Sequence, residues 1–151
     1  MRATQVGILK GIIEPIDDLF DFIVIDTPRL KSYLTVSALV AANEVVIPLQ
    51  PHFLAVSALK DTIDEIENVR RGLNQKLRVA GVLPVMVNSR TNISKMMLEQ
   101  VKAHYPELLY PFQVDFSIRH VESSLAGEPI LIYAPHHQGS QAYIDLAETF
   151  L

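Results

Sequence analysis

The chain contains no cysteine and no long hydrophobic run. Without cysteine it can form no disulfide framework and has no thiolate chemistry, a composition that fits the cytosol. No apolar segment reaches the length that crosses a bilayer, and the first four residues lead into no signal-peptide pattern. We therefore expect a soluble, cytoplasmic protein with no membrane partner.

An excess of basic residues is also absent. Thirteen Lys and Arg stand against 17 Asp and Glu, so the formal net charge is -4. The chain as a whole presents no basic surface to nucleic acid, and any contact with DNA needs a local patch.

Apolar residues dominate what is present: 49% of the chain is hydrophobic and 20% is charged. This content is ample for the core of a globular domain. No repeat, low-complexity tract or linker divides the chain, so we predict a single domain over 1–151. Alternating strand and helix patterns predict the α/β class, with three α/β/α layers and a mostly parallel sheet.

The stretch FDFIVIDTP, residues 20–28, has the strongest local pattern. Apolar residues from Phe22 onward lead into Asp26, and the following Thr-Pro cannot continue a strand. We predict a buried strand with this carboxylate at its carboxyl end, where open α/β sheets place their ligand sites. There Asp26 would hold magnesium, through water, beside the phosphates of a nucleotide. Alternatively, Asp26 only caps the next turn.

Hydrophobic periodicity predicts the remaining elements. Helices are expected over Thr4 to Asp18 with a kink at Pro15, Leu34 to Ala42 capped by Ser32 or Thr35, Ala55 to Arg71, Ile93 to His104, Ser117 to Leu125, and Gln138 to Leu151. Strands are expected over Glu44 to Leu49, Leu77 to Val87 and Leu108 to Val114, with a short extended piece over Ile130 to Tyr133.

Polar residues follow three of the predicted strands. Because the carboxyl ends of parallel strands meet at one edge, we expect Asp26, Gln50 and Asn88 to gather there. The structural alternative is that each polar residue only ends its own strand.

Five segments in this order resemble ParA-type partition ATPases, relatives of MinD within the P-loop class. They are FDFIVIDTP, LTVSALVAANEVVIPLQP, SRTNISKMMLEQV, IRHVESSLAGEPILIYAP and QAYIDLAETF. The resemblance covers nearly the whole chain and implies a P-loop NTPase-like fold.

The resemblance also implies roles for particular residues. Asp26 matches the Walker B acid that orients magnesium water, and Asn88 matches a residue near the adenine. Arg90 and Arg119 match arginines that contact DNA without reading its sequence. ATP and magnesium are the implied cofactors, and a dimer and a ParB-like adaptor are the implied partners. As structural alternatives, Arg90 is a solvated loop cation and Arg119 forms an ion pair with Glu122.

The chain departs from the family pattern in one major respect. The glycine-rich phosphate loop with its two lysines is absent from the 151 residues, whose six glycines are isolated. The chain therefore resembles the carboxyl-terminal part of the family domain, truncated at the N-terminus and starting one helix before the Walker B strand.

Smaller departures lie at the expected ligand site. Arg29 replaces the family's second proline after the acid, and His52 replaces a glutamate. Asp115 and Phe116 replace a proline and an arginine that shape the base pocket. We hypothesise that Arg29 pairs with Asp26 and substitutes for the charge of the metal.

Other chemistries find less support in the sequence. A phospho-accepting receiver domain needs further acids and a late lysine. The adjacent His136 and His137 have no cysteine or acid at ligand spacing, so a solvated loop is expected. No serine lies in a visible Ser-His-Asp arrangement.

Three functions remain open. The chain is a ParA-like ATPase domain whose phosphate loop lies on other sequence, so that it does not hydrolyse ATP alone. Alternatively, it is a nucleotide-free scaffold that pairs with a full-length ATPase or a ParB-like adaptor, or a remnant that binds DNA through Arg90 and Arg119. A missing strand would expose apolar surfaces, so we expect a dimer.

Overall fold

The computed structural model describes residues 6–28 and 32–151. Contacts divide them into two compact units. The first contains the described residues up to Val45 together with Leu59–Ala80, and the second contains Val46–Ala58 and Gly81–Leu151. Within the described ranges, no helix has the length and apolar character needed to cross a membrane.

Helices alternate with strands along the chain. The helices are α1 (Ile8–Ile13), a 3-10 helix (Glu14–Leu19), α2 (Tyr33–Ala41), α3 (Phe53–Gly72), α4 (Asn92–His104), α5 (Ile118–Ala126), α6 (Ile130–Tyr133) and α7 (Gln138–Glu148). In the described part of the chain, β1 (Glu44–Leu49), β2 (Arg78–Val87) and β3 (Val114–Asp115) form one sheet in the order β1-β2-β3. β2 and β3 are parallel, and the predicted α/β class is confirmed.

Helix α2 contributes the buried residues Ala38, Leu39 and Val40 to the first unit. The helix begins after Ser32, whose Oγ accepts a hydrogen bond from the Thr35 amide at 3.1 Å, and this confirms the predicted cap. At the other end, Asn74 Nδ2 donates to the carbonyls of Leu39 at 2.9 Å and Ala42 at 2.7 Å. Asn74 thus provides donors to carbonyl groups at the carboxyl end of α2, where intrahelical partners run out.

The first residues of the predicted helix from Thr4 to Asp18 lie outside the described ranges. The described part is divided into an α-helix and a 3-10 helix. α1 ends at Ile13, and Pro15 lies in the first turn of the 3-10 helix that follows. Proline has no amide hydrogen to donate and its ring clashes with the preceding turn, so the regular α-helix stops there.

The predicted buried strand from Phe22 to Asp26 is wrong. Residues 22–28 are neither helical nor paired in a sheet, and the Phe22 and Val24 residues are 55% and 92% exposed. A strand needs a neighbour to exchange backbone hydrogen bonds with, and no described strand pairs with this segment. Asp26 therefore follows an exposed, unpaired segment.

The core of the second unit surrounds β2 and β3. Leu83, Val114 and Ala142 are buried together, and α7 packs against β3. Partly buried side chains close the cluster: Val46, Val85, Tyr110, Phe112 and Leu146. This packing fixes the loops that leave the carboxyl ends of β2 and β3.

The predicted strand from Leu108 to Val114 is largely wrong. Leu109 forms an isolated parallel bridge with Val82, and only Val114 and Asp115 form a regular strand. Pro111 between them cannot donate to a ladder, so the pairing is interrupted there. The Tyr110 ring packs directly against Gly81, because a Cβ at that position would lie 2.5 Å from the ring.

The segment from Ile130 to Tyr133 is a short helix, so the predicted extended piece is also wrong. Pro129 precedes it with φ near -60°, and its carbonyl accepts hydrogen bonds from the amides of Ile132 and Tyr133 at 2.9 Å. Proline before the first helical residue favours a helical turn over an extended one.

Replacing Asn74 tests its contribution to the first unit. Asn74→Ala leaves two carbonyls at the end of α2 without their donors, and should lower the free energy of unfolding by about 1–3 kcal/mol. Asn92→Ala, at the exposed start of α4, is the matched control and should change stability by less than about 0.5 kcal/mol. Urea unfolding followed by circular dichroism measures both; equal midpoints for the two variants would contradict the assignment.

Candidate functional site

An open cavity of about 740 Å³ lies in the first unit beside Asp26. Its lining residues come from α1, from residues 25–28 and from the start of α2: Ile8, Leu9, Ile12, Ile25, Asp26, Thr27, Pro28, Tyr33, Leu34, Ser37 and Ala38. The Asp26 carboxylate is exposed and makes no hydrogen bond to another described residue. It is thus an open acid at the edge of a mostly apolar cavity.

The residues around Asp26 meet part of the requirement of a magnesium-nucleotide site. Magnesium takes one or two carboxylates and otherwise keeps its waters and phosphate oxygens, so a single exposed acid suits it. The described lining residues include no lysine or arginine to neutralise phosphates. In the described ranges there is also no group of three His, Cys, Asp or Glu that could hold a metal. Asp26 is therefore a suitable magnesium ligand, but residues other than those that line the cavity would have to bind the phosphates of a nucleotide.

In the second unit, a tight loop follows β2. Asn88 Oδ1 accepts a hydrogen bond from the Arg90 amide at 3.2 Å, and the Asn88 carbonyl accepts from the Thr91 amide at 3.0 Å. Thr91 in turn caps α4, because its Oγ1 accepts from the Ser94 amide at 3.4 Å. Just before the loop, Met86 has a φ of 51°, at the point where the register with β3 shifts. This bulge at the end of β2 turns the chain into the loop.

A polar triad joins this loop to the end of β3. Ser89 Oγ donates to Asp115 Oδ1 at 3.0 Å. Gln113 Nε2 donates to Ser89 Oγ at 3.0 Å and to Asp115 Oδ1 at 2.6 Å. The Phe116 amide donates to the Val87 carbonyl at 2.9 Å. Asn88 and Phe116 are therefore held next to each other at the carboxyl edge of the parallel pair.

The two arginines differ in their surroundings. Arg119 Nη1 lies 3.1 Å from Glu122 Oε2, the ion pair considered above as its structural role, and Tyr133 OH donates to the same oxygen at 3.4 Å. The Arg90 guanidinium is exposed and lies within ion-pair distance of no described carboxylate. Arg90 is thus the more available cation.

The expectation that Asp26 ends a strand, as Gln50 and Asn88 do, is wrong. In the described part of the chain no strand precedes Asp26, whereas Gln50 and Asn88 follow β1 and β2. Arg29, the hypothetical partner of Asp26, lies outside the described residues. His52 has a structural role, since its Nδ1 accepts a hydrogen bond from the Ala55 amide at 3.3 Å at the start of α3.

Asp115 and Phe116 were expected near the ligand site from the sequence, whereas Gln113 was not identified as part of this edge. Residues 113 to 116 end the chain's least regular strand, and Pro111 obscured its register. The usable signal was two polar side chains flanking Val114, which places both on the same face of a short strand.

Two histidines of the second unit, His120 and His137, pack against each other. His137 caps α7 by accepting a hydrogen bond from the Gly139 amide at 2.9 Å. The His120 ring lies 5.7 Å from the His137 ring and 6.4 Å from the Tyr143 ring, in both cases edge-on. His120 Nε2 is buried with no hydrogen-bond partner in the described part of the chain. Burial, and then the charge of His137, lower the pKa of His120 below its usual value.

Comparisons with known proteins agree on a family. A family model for the AAA domain matches residues 2–79. The sporulation initiation inhibitor protein Soj of Bacillus subtilis is 34% identical over 140 residues, which are 93% of this chain and 55% of Soj. The chromosome partitioning protein ParA of Myxococcus xanthus is 32% identical over 143 residues, which are 95% of this chain and 50% of that protein. The chain thus spans about half the length of these relatives.

A solved structure shows the same fold. Cobyrinic acid a,c-diamide synthase from Mycobacterium smegmatis, with a bound ATP analogue and magnesium, superposes with a TM-score of 0.77. The two proteins share 29% sequence identity, and the match covers 98% of this chain and 53% of the synthase.

The partly buried His120 makes the free energy of unfolding depend on pH. Because its pKa is lower in the folded state than in the unfolded state, the unfolded chain takes up the proton first. The contribution of neutral His120 is complete above about pH 6.5 and is lost as the pH falls towards its folded pKa. His120→Gln should remove this acid-dependent loss in urea unfolding, whereas His104→Gln, at an exposed position, should keep it. An identical pH dependence in wild type and His120→Gln would contradict the assignment.

Proposed function

The chain belongs to the ParA/MinD-type family of P-loop ATPases, and from this membership we propose that it contributes the Walker B half of an ATPase site used in DNA partitioning. The observation that carries the proposal is Asp26, an exposed carboxylate beside an open cavity with no partner among the described residues. An acid left open in this way is available to a hydrated cation.

Each proposed residue has a separate task. Asp26 would hold magnesium through the water ligands of the ion. Bound magnesium would offset the negative charge of the phosphate oxygens. Asn88, in the loop after β2, contacts the base. Its Oδ1 is engaged by the Arg90 amide, so its Nδ2 is the group that donates outward.

The phosphate-binding loop is proposed to come from polypeptide outside these residues. The segment before Asp26 has exposed apolar side chains and unpaired backbone groups, both of which an added strand would cover. The same strand would bring phosphate-binding amides next to Asp26. Such a strand would have to come from other polypeptide, since a second copy of these residues also lacks the loop, and hydrolysis would be absent from the isolated chain.

DNA binding is proposed for Arg90 together with Arg119. Both are exposed side chains in loops or first turns that follow neighbouring parallel strands. Guanidinium groups of this kind contact phosphates without reading sequence. Glu122 competes for Arg119, so Arg90 carries the larger share.

A second candidate function is a nucleotide-free scaffold that pairs with a full-length ATPase or a ParB-like adaptor. The observation in its favour is the apolar lining of the cavity beside Asp26, which suits a polypeptide better than phosphates. Tight binding of magnesium and ATP by this chain would exclude it.

Calorimetric titration of ATP, with and without magnesium, tests the role of Asp26. Asp26→Ala should remove the magnesium-dependent part of ATP affinity, a loss of roughly 10- to 100-fold. Asp21→Ala, in the same exposed segment, is the control and should bind as wild type. Magnesium-dependent binding that survives intact in Asp26→Ala would remove this residue from the site.

Replacing the arginines tests the DNA surface. Removing both with Arg90→Ala and Arg119→Ala should weaken binding to duplex DNA of any sequence and reduce the salt slope by about one for each lost contact. Glu122→Gln frees Arg119 and should strengthen binding. Arg70→Ala, which removes another helical i,i+3 ion pair, with Glu67, is the control. Equal affinity and salt slope for the double variant and the wild type in fluorescence anisotropy would rule out this surface.

A further inference from the structure

We propose that helix α5 is a self-association surface, through which two copies of the chain pair in antiparallel orientation. Its outward face carries Ile118, Val121 and Leu125, which are 62%, 50% and 84% exposed. Positions i, i+3 and i+7 lie along one side of an α-helix, so these three side chains form a continuous apolar stripe. The pairing involves neither Asp26 nor a nucleotide, and it goes beyond the function proposed above.

The side of α5 that faces the protein is polar. Ser123, opposite the stripe, is buried, and its hydroxyl donates to the His120 carbonyl at 3.1 Å. The His120 ring packs edge-on against the rings of His137 and Tyr143. A surface helix of a globular protein normally turns its apolar stripe inward. In α5 the arrangement is reversed, so the stripe is available to another molecule.

Contacts at both ends and in the middle of α5 fix its orientation. Ser117 caps the first turn by accepting a hydrogen bond from the Arg119 amide at 3.2 Å. Gly127, with a φ of 68°, ends the helix, and its amide donates back into the last turn at 3.2 Å. Between them, a Cβ at Gly139 would lie 2.6 Å from the His120 ring. Rotating the helix to bury the stripe would break these contacts.

A second copy of α5 is complementary to the stripe when the two helices run antiparallel. Ile118 of one copy then faces Leu125 of the other, and the two Val121 side chains meet at the two-fold axis. Large aliphatic side chains lie opposite each other at both ends of the contact. Such a self-complementary patch is what an isologous interface requires.

Charges along the edges of the stripe favour the antiparallel pair over a parallel one. Arg119 and Glu122 lie on one edge, 3.1 Å apart, whereas Ser117 and Ser124 lie on the other. An antiparallel two-fold axis places each edge against the same edge of the second copy in reverse, so Arg119 of one copy faces Glu122 of the other. A parallel pair would place the charged edge against the serines.

The length of α5 determines how strong the pairing is. Nine residues at 1.5 Å each give a helix about 14 Å long. Two such helices bury less than the roughly 1,600 Å² of a standard interface, so we expect a weak dimer with a dissociation constant in about the micromolar range or above. Sedimentation velocity of the full chain without nucleotide should therefore show a mass that rises with protein concentration.

A matched pair of substitutions tests whether the stripe is the interface. Ile118→Glu buries an unpaired charge in the proposed contact and should weaken association roughly 10-fold or more. Ile93→Glu is the control, because Ile93 is 64% exposed in the first turn of α4 and should associate as wild type. A monomer at every concentration, or equal association of both variants, would overturn the proposal.

The absence of cysteine from the chain allows the orientation to be tested by cross-linking. Under mild oxidation Val121→Cys should form a disulfide-linked dimer, and so should a mixture of Ile118→Cys with Leu125→Cys. Ile118→Cys alone should stay monomeric, because an antiparallel pair holds its two Cα atoms more than about 10 Å apart, too far for a disulfide. Ile93→Cys is the control for random collisions. Equal cross-linking of Ile118→Cys alone and in the mixture, or of Ile93→Cys and Val121→Cys, would overturn the antiparallel pair.

Discussion

Parallel pairing between β2 and β3 is the constraint on which the candidate ligand edge depends. The pairing is short, with Val85 opposite Val114 and Val87 opposite Asp115, but it fixes where both strands end. The packing of Leu83, Val114 and Ala142 behind it keeps the two strands together. Every group at the edge, from Asn88 to Phe116, takes its position from this pairing and from the triad that joins the two loops.

The site at Asp26 in the first unit depends instead on the lack of strand pairing in the segment before it. Residues 22–26 have the composition of a central strand, yet no described strand lies beside them to accept their hydrogen bonds. Asp26 is consequently exposed. The family model that matches residues 2–79 includes this segment, and the chain spans about half the length of Soj and ParA.

A structural feature could be predicted from the sequence where it depends on residues close together in the chain. The helix start at Ser32 was predictable, because caps act within a few residues. The strands β1 and β2 were predictable from their continuous apolar runs. The wrong strand predictions concern features that depend on residues far apart in the chain. The apolar content of residues 22–26 says nothing about a neighbouring strand, and Pro111 interrupted a ladder whose register only the folded sheet defines. The ion pair of Arg119 with Glu122 was predictable from its i,i+3 spacing, whereas the triad of Ser89, Gln113 and Asp115 joins residues too far apart in sequence.

The exposed apolar segment before Asp26 would also make the stability of the fold depend on the concentration of any polypeptide that binds it. Any partner that covers this segment binds the folded chain and not the unfolded one, so it stabilises the fold by an amount that grows with partner concentration. The melting temperature of the chain is then not a fixed property but a function of how much partner is present. A cell that makes the chain in excess over that partner would hold a larger unfolded fraction, open to proteolysis, so the supply of the covering polypeptide would set the amount of the chain that persists.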